Sequence, residues 1–288
     1  IKFTWEHGRF GWAVILARAY LVSGSDAYAQ FFWEYSERFC ALNPPNLGPH
    51  WASAQEVALR LIALVFAAQV LRKSPQSTPE RRLKLAQSLA DHAARIPPSL
   101  AYARAQHNNH LVSEAAGLYT AGLALPDHPL APRWRALGWR WLNHALQTQI
   151  ASSGAYSQHS TNYHRLVLQA AAWVDLLRRY QGQVWPKLTL QRLSAATRWL
   201  LTLCDQVSGQ TPNLGPNDGA LILPLADCPF SDYRPALGAA ALAFLGVSPF
   251  PSGSWDEAAL WMGLTQYASP SQPLSLAHTE RDDLAVLQ

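Results

Sequence analysis

Residues 106–150 read QHNNHLVSEAAGLYTAGLALPDHPLAPRWRALGWRWLNHALQTQI. Apolar side chains recur every three or four positions over 109–123, the turn-forming run LPDHPLAP follows at 125–132, and the same spacing resumes over 131–150. This is the pattern of a helical hairpin, two amphipathic helices joined by a Pro-rich break. It repeats outward in both directions. Breaks at SGSD (23–26), NPPNLGP (43–49), KSPQSTPE (73–80), RIPPS (95–99), SSG (152–154), GQVWPK (182–187), SGQTPNLGPNDG (208–219) and GVSPFPSGS (246–254) divide the chain into helical pairs. The pairs are 5–22 with 27–41, 52–73 with 79–95, 109–123 with 131–150, 160–180 with 189–206, and 235–246 with 255–266. Strict alternation of apolar and polar residues is scarce, so the expected class is all-α.

Five hairpins, each unable to bury its own apolar stripe, stack as a solenoid or close into a ring. No internal sequence repeat accompanies the structural one, which favours an incomplete (α/α) toroid. The polar clusters NLGPHW, QHNNH and YSQHSTNYH open the second, third and fourth hairpins, and NLGPND stands just ahead of the fifth. Such regular placement predicts one rim carrying them all. The helical pattern fades after Trp261 and Met262, so 1–268 is expected to form the helical domain. Residues 269–288 then read as a linker or the start of a further, β-rich domain.

With 288 residues, 49% of them apolar and 15% charged, the chain can bury a full core. No membrane span is expected. The net charge of +4 suits an anionic ligand, but no Lys/Arg-rich run marks a nucleic-acid groove. Cys40, Cys204 and Cys228 lie far apart without a CxxC and read as packed thiols. Twelve Trp is a large excess, pointing either to core packing or to a cleft lined with flat rings that stack on sugars. The signatures GxSxG, GxGxxG, HExxH and the P-loop are absent, which removes the local marks of serine hydrolases, dinucleotide enzymes, zincins and NTPases.

Two segments carry the most chemistry. In Gln106-His107-Asn108-Asn109-His110-Leu111-Val112-Ser113-Glu114, Asn108 or Asn109 can cap the helix, which leaves polar groups beyond what a cap needs. Glu114 lies one turn after His110 and is placed to fix its tautomer or charge. In Tyr156-Ser157-Gln158-His159-Ser160-Thr161-Asn162-Tyr163-His164-Arg165, Ser160 or Thr161 is the expected cap and Tyr163 falls in the first turn. There the positive end of the helix dipole favours a phenolate, a candidate base. Trp51 at a helix start, with Gln55, Glu56 and Arg60 after it, and the loop holding Asn213, Asn217 and Asp218 are further candidates for binding. Glu56 and Arg60 are spaced as an i,i+4 ion pair. His107, His110, His159 and His164 can be drawn as a metal site, but their spacing is not diagnostic, and no metal or cofactor is assigned.

The ordered strings WEHGRFGWAVILARAY, NPPNLGPHWASAQEVALR, NNHLVSEAAGLY, YSQHSTNYHRLVLQ and PNLGPNDG resemble the heparinase II/III-like polysaccharide lyases, a group that includes toroidal alginate lyases. The resemblance implies an incomplete α/α toroid followed by an antiparallel β-sandwich, a glycan cleft between them, and a periplasmic or extracellular setting. It implies an anionic, uronate-containing polysaccharide as partner and cleavage by β-elimination without a cofactor. Asn109 and His110 match the residues that bind the uronate carboxylate, and Tyr163 matches the one that handles the C5 proton. A further catalytic His or Tyr is expected from the β part. Trp51, Gln55, His107, Asn108, Glu114, His159, Asn217 and Asp218 are the candidate substrate-binding set. Two rival readings use the same rim: a non-catalytic glycan-binding or scaffold toroid, and an α/α-barrel glycoside hydrolase drawing its two acids from Glu56, Glu114 and Asp218.

Overall fold

A computed structural model describes residues 2–264. The proposed boundary at 268/269 and the stretch 269–288 lie outside the described residues. Among those described, the architecture is all-helical, with one isolated bridge between Ile150 and Tyr156 and no strands. The helices are α1 (Lys2–Gly8), α2 (Gly11–Ser23), α3 (Asp26–Leu42), α4 (Ala54–Leu71), α5 (Pro79–Arg95), α6 (Leu100–Gln106), α7 (Asn109–Ala124), α8 (Ala131–Gln149), α9 (Thr161–Tyr180), α10 (Lys187–Leu203), α11 (Arg234–Leu245) and α12 (Glu257–Trp261). The five sequence-predicted pairs correspond to α2/α3, α4/α5, α7/α8, α9/α10 and α11/α12, although the helix expected over 255–266 is α-helical only over Glu257–Trp261, after the 3₁₀ turn Ser254–Asp256, and 265–266 lie outside the described residues. Two further details differ. The first helix is interrupted at Arg9 and Phe10, where Phe10 takes φ 63° between two glycines, and the short α6 follows the 3₁₀ turn Pro97–Ser99.

The chain divides into two compact units, one holding the described residues up to His144 with Ala220–Leu225, the other Ala145–Gly219 and the described residues from Ala226. In the first unit α4 is the central helix, packed by α2 and α7. It is apolar around most of its circumference, and Val57, Ala58, Leu61, Ile62, Ala63 and Ala67 are fully buried, as a helix without a polar face must be. Among the described residues it alone has the length and apolarity to cross a bilayer, yet 83% of that stretch is buried in protein, the condition of a core helix. Gly117 on α7 lets the two backbones approach, since a Cβ there would stand 2.7 Å from the Ala58 methyl. In the second unit α11 packs on α9 and α10.

Several helix starts carry a side-chain cap. Asn108 accepts from His110 N at 3.0 Å, Ser160 from Tyr163 N at 3.1 Å, and Thr78 from Arg81 N at 3.3 Å with Pro79 at the first helical position. Of the twelve Trp, five are buried and none is fully exposed, so packing accounts for much of the excess.

Candidate active site

The first unit gathers polar side chains where α4 and α7 begin and α5 ends. Asn108 serves as the cap, which frees Asn109, in the first turn of α7, for another task. Asn109 is 2% exposed and donates from Nδ2 to Gln55 Oε1 at 3.2 Å, joining the first turns of α7 and α4. His110 beside it is half-buried. His107 closes α6 in the left-handed region at φ 50° and is exposed. Glu114 takes a different partner from the one its spacing predicted: its Oε2 accepts from Ser99 Oγ at 2.8 Å instead of engaging His110. Burial pushes the Glu114 carboxyl up to about 7, with the Ser99 hydrogen bond and the Arg95 charge restraining the rise.

Arg95, in the last turn of α5, donates to the carbonyls of Trp51 and Ala52 at 3.2 and 3.4 Å. A basic residue at a helix C-terminus reads in sequence as a partner of the dipole, so nothing local marks Arg95 as part of this cluster. Trp51 is 4% exposed, its indole N–H donates to Asn43 O at 3.1 Å, and its ring packs on His92 and the Arg60 guanidinium. Its aromatic face is thus spent on the core. The i,i+4 pairing of Glu56 with Arg60 does not form. Glu56 instead accepts from Arg9 Nε and Nη2 at 2.6 and 2.9 Å, a buried bidentate pair. Arg60 donates to His92 Nε2, Gly8 O and His50 O. Among the three carboxylates of the hydrolase reading, Glu56 is therefore fully committed to structure.

The second unit places Tyr163, half-buried, in the first turn of α9, where its Oη donates to Asp218 Oδ2 at 3.0 Å. The loop carrying Asp218 is fastened to the start of that helix: Ser160 Oγ donates to Pro216 O at 2.6 Å, Thr161 Oγ1 to Pro212 O at 2.9 Å, and Thr161 N to Leu214 O at 3.2 Å. Gly215, at φ 65°, sits so close to the His159 carbonyl that no side chain fits. Asn217 is turned to the loop itself, donating to Asn213 Oδ1 at 2.7 Å and accepting from Gly219 N at 3.0 Å. His159 is exposed at φ 49°. His164 is buried, stacked on Trp199, with Nε2 directed at Ala196 O at 3.0 Å, and burial lowers its pKa to about 4. Tyr156, to which no sequence pattern assigns a role, is buried beside it with Oη donating to Gln149 Oε1 at 3.1 Å.

Of the sequence-predicted residues, then, Gln55 and Asn109 meet directly in one unit, with Asn108, His110 and Glu114 on the same helix. Tyr163 and Asp218 meet directly in the other.

This all-α succession of helical hairpins is shared with known proteins. The model of the family described as Heparinase II/III N-terminus matches residues 2–197, and the chain belongs to that family. A heparin-sulfate lyase of Bacteroides thetaiotaomicron is 31% identical over 159 residues, covering 54% of this chain and 22% of that protein. A heparin-sulfate lyase of Pedobacter heparinus is 27% identical over 169 residues, covering 57% of this chain and 25% of that protein. A crystal structure of heparinase III superposes with a TM-score of 0.59 at 25% identity, over 73% of this chain and 32% of that one. The chain therefore spans about a quarter of the length of the curated relatives it matches, at 22% and 25%.

Proposed function

We propose that the protein is a polysaccharide lyase that cleaves a uronate-containing anionic glycan of the heparan-sulfate type by β-elimination. The observation that carries this reading is the Asn109-His110 pair and Tyr163, each in the first turn of a capped helix, within the stretch that matches the lyase family. The chemistry needs those groups. The C5 proton of a uronate is too weakly acidic to leave while the adjacent carboxylate keeps its full charge, because the carbanion adds a second one. Donors at that carboxylate relieve the repulsion, each worth about 3–4 kcal/mol in a site shielded from water. Asn109, steadied by Gln55, and His110 supply them in this proposal. Tyr163 takes the C5 proton and returns one to the departing C4 oxygen, leaving an unsaturated uronate at the new non-reducing end.

Residues 1–268 form the helical catalytic domain of this proposal, and a β-rich part of the polypeptide supplies the remaining catalytic side chain and the other wall of the cleft. The test uses the full-length gene product, incubated with heparan sulfate and followed by the ultraviolet absorbance of the unsaturated product. Tyr163→Phe is expected to lower kcat by roughly 100-fold or more, the scale of a lost proton-transfer group. Binding of the polymer with no unsaturated product from the wild type overturns the proposal in favour of a non-catalytic glycan-binding module. Full activity of the Tyr163→Phe variant overturns the assignment of Tyr163.

A further inference from the structure

Tyr163 and Asp218 are 55 residues apart in sequence, yet the phenol donates to the carboxylate at 3.0 Å. The contact is built rather than incidental. The hydroxyls of Ser160 and Thr161 and the Thr161 amide, all at the first turn of α9, hold the carbonyls of Pro216, Pro212 and Leu214. Gly215 closes the gap to the His159 carbonyl. Asn217 braces the loop from within, through Asn213 and the Gly219 amide. The same first turn that presents Tyr163 therefore fixes the loop that presents Asp218.

We infer that Asp218 is the positioning residue of Tyr163, aiming its phenol and taking its proton transiently during the reaction. The catalytic meaning of this rests on the lyase reading, whereas the pairing itself does not. The helix end that favours a phenolate carries only about half a unit charge, and a carboxyl group accepting the phenol's hydrogen bond opposes loss of that proton. The groups facing the phenol include Asp218 from the loop and Tyr156 from the turn after α8, itself buried and un-ionised. His159 lies before the helix, and His164 turns its ring away to Ala196.

During elimination the phenol's proton passes to Asp218, and the phenolate takes the C5 proton. The C5–H electron pair becomes the C4–C5 double bond as the C4–O4 bond breaks. O4 leaves with its electron pair and takes the proton now on Tyr163, and Asp218 returns the first proton to the phenolate. Protons and electrons balance with no further reactant.

The test is a pH titration of the full chain labelled with ¹³C at tyrosine Cζ, with the Tyr163 signal identified by its loss in Tyr163→Phe. In Asp218→Asn the Tyr163 signal is expected to titrate at lower pH than in the wild type, and in Asp218→Glu to stay near it. An unmoved midpoint in Asp218→Asn overturns the inference. In turnover assays Asp218→Asn is expected to lose roughly 10- to 100-fold in kcat, the cost of a misaimed group, with KM little changed and partial rescue by Asp218→Glu. A raised KM with kcat retained makes Asp218 a substrate contact instead, and also overturns the inference. If the wild type forms no unsaturated product while the titration still shifts, the lyase reading falls and the pairing stands. Should Asp218→Asn fail to fold, Asp218→Ser removes the same charge and is read in the same way.

Discussion

Arg9 and Arg60 are two buried guanidinium groups satisfied in different ways, and the difference sets what each substitution does. Arg9 grips both oxygens of Glu56, and its Nη1 reaches Glu6 Oε2 at 2.7 Å. The pair with Glu56 has side-chain exposures of only 7% and 4%, so removing one partner strands the other charge away from water. Arg9→Ala is expected to cost about 3–5 kcal/mol in denaturant unfolding. Replacing both residues, as Arg9→Met with Glu56→Leu, is expected to cost far less, because no buried charge is left alone. A single variant no worse than the double would show that the pair does not govern stability here. Arg60 needs no carboxylate: it donates to two carbonyls and to His92 Nε2, and its face lies over Phe39 and Trp51. That geometry requires a neutral His92, with the proton on Nδ1 donated to Ser88 O at 2.7 Å.

At the scale of elements, the close helix crossings are set by glycine. Gly138 of α8 lies directly on the α7 backbone at Ala115 and Tyr119, where a methyl group has no room. Gly138→Ala must part the two helices and is expected to cost about 1–3 kcal/mol, read as a lower Tm. Gly11, at the start of α2, has open space for 4 Å around the point where a methyl group would stand, so Gly11→Ala is expected to leave Tm unchanged or raise it. Equal effects would deny that crossing distance is the cause. The pairing of helices was readable in sequence because apolar periodicity and Pro-rich breaks are local signals. The interruption at Arg9 and Phe10 was not, because one left-handed residue inside GRFG leaves the periodicity on either side intact. The helix α6 was hidden for another reason, since seven residues after IPPS are too few to establish a period. Within the candidate site, Asn108, Asn109 and Tyr163 were legible through capping chemistry. The grip of Gln55 on Asn109 and of Asp218 on Tyr163 arises from tertiary docking, which no spacing rule encodes.

At the scale of the whole molecule, four groups tie stability to pH with opposite signs. His92 and His164 are held neutral, their pKa values lowered by burial to about 3 and about 4. The unfolded chain binds their protons below about 6.5 and the folded chain does not, so each erodes stability as pH falls from about 6.5 toward its folded value. His50, lowered by burial and by the Arg60 charge, acts in the same direction. Glu114 opposes them. Its pKa is raised to about 7, so between about 4.5 and 7 the folded protein holds a proton that the unfolded chain has released, and stability falls as pH rises. Glu114→Gln keeps an acceptor for Ser99 and removes the opposing proton. The slope of stability against pH across this window should then become more positive by one proton, about 1.4 kcal/mol per pH unit. Unfolding curves for the two proteins at several pH values between about 5 and 7 measure it directly. Parallel curves would mean that Glu114 is already ionised in the folded protein, and that its burial is answered by a stronger cationic partner than Arg95.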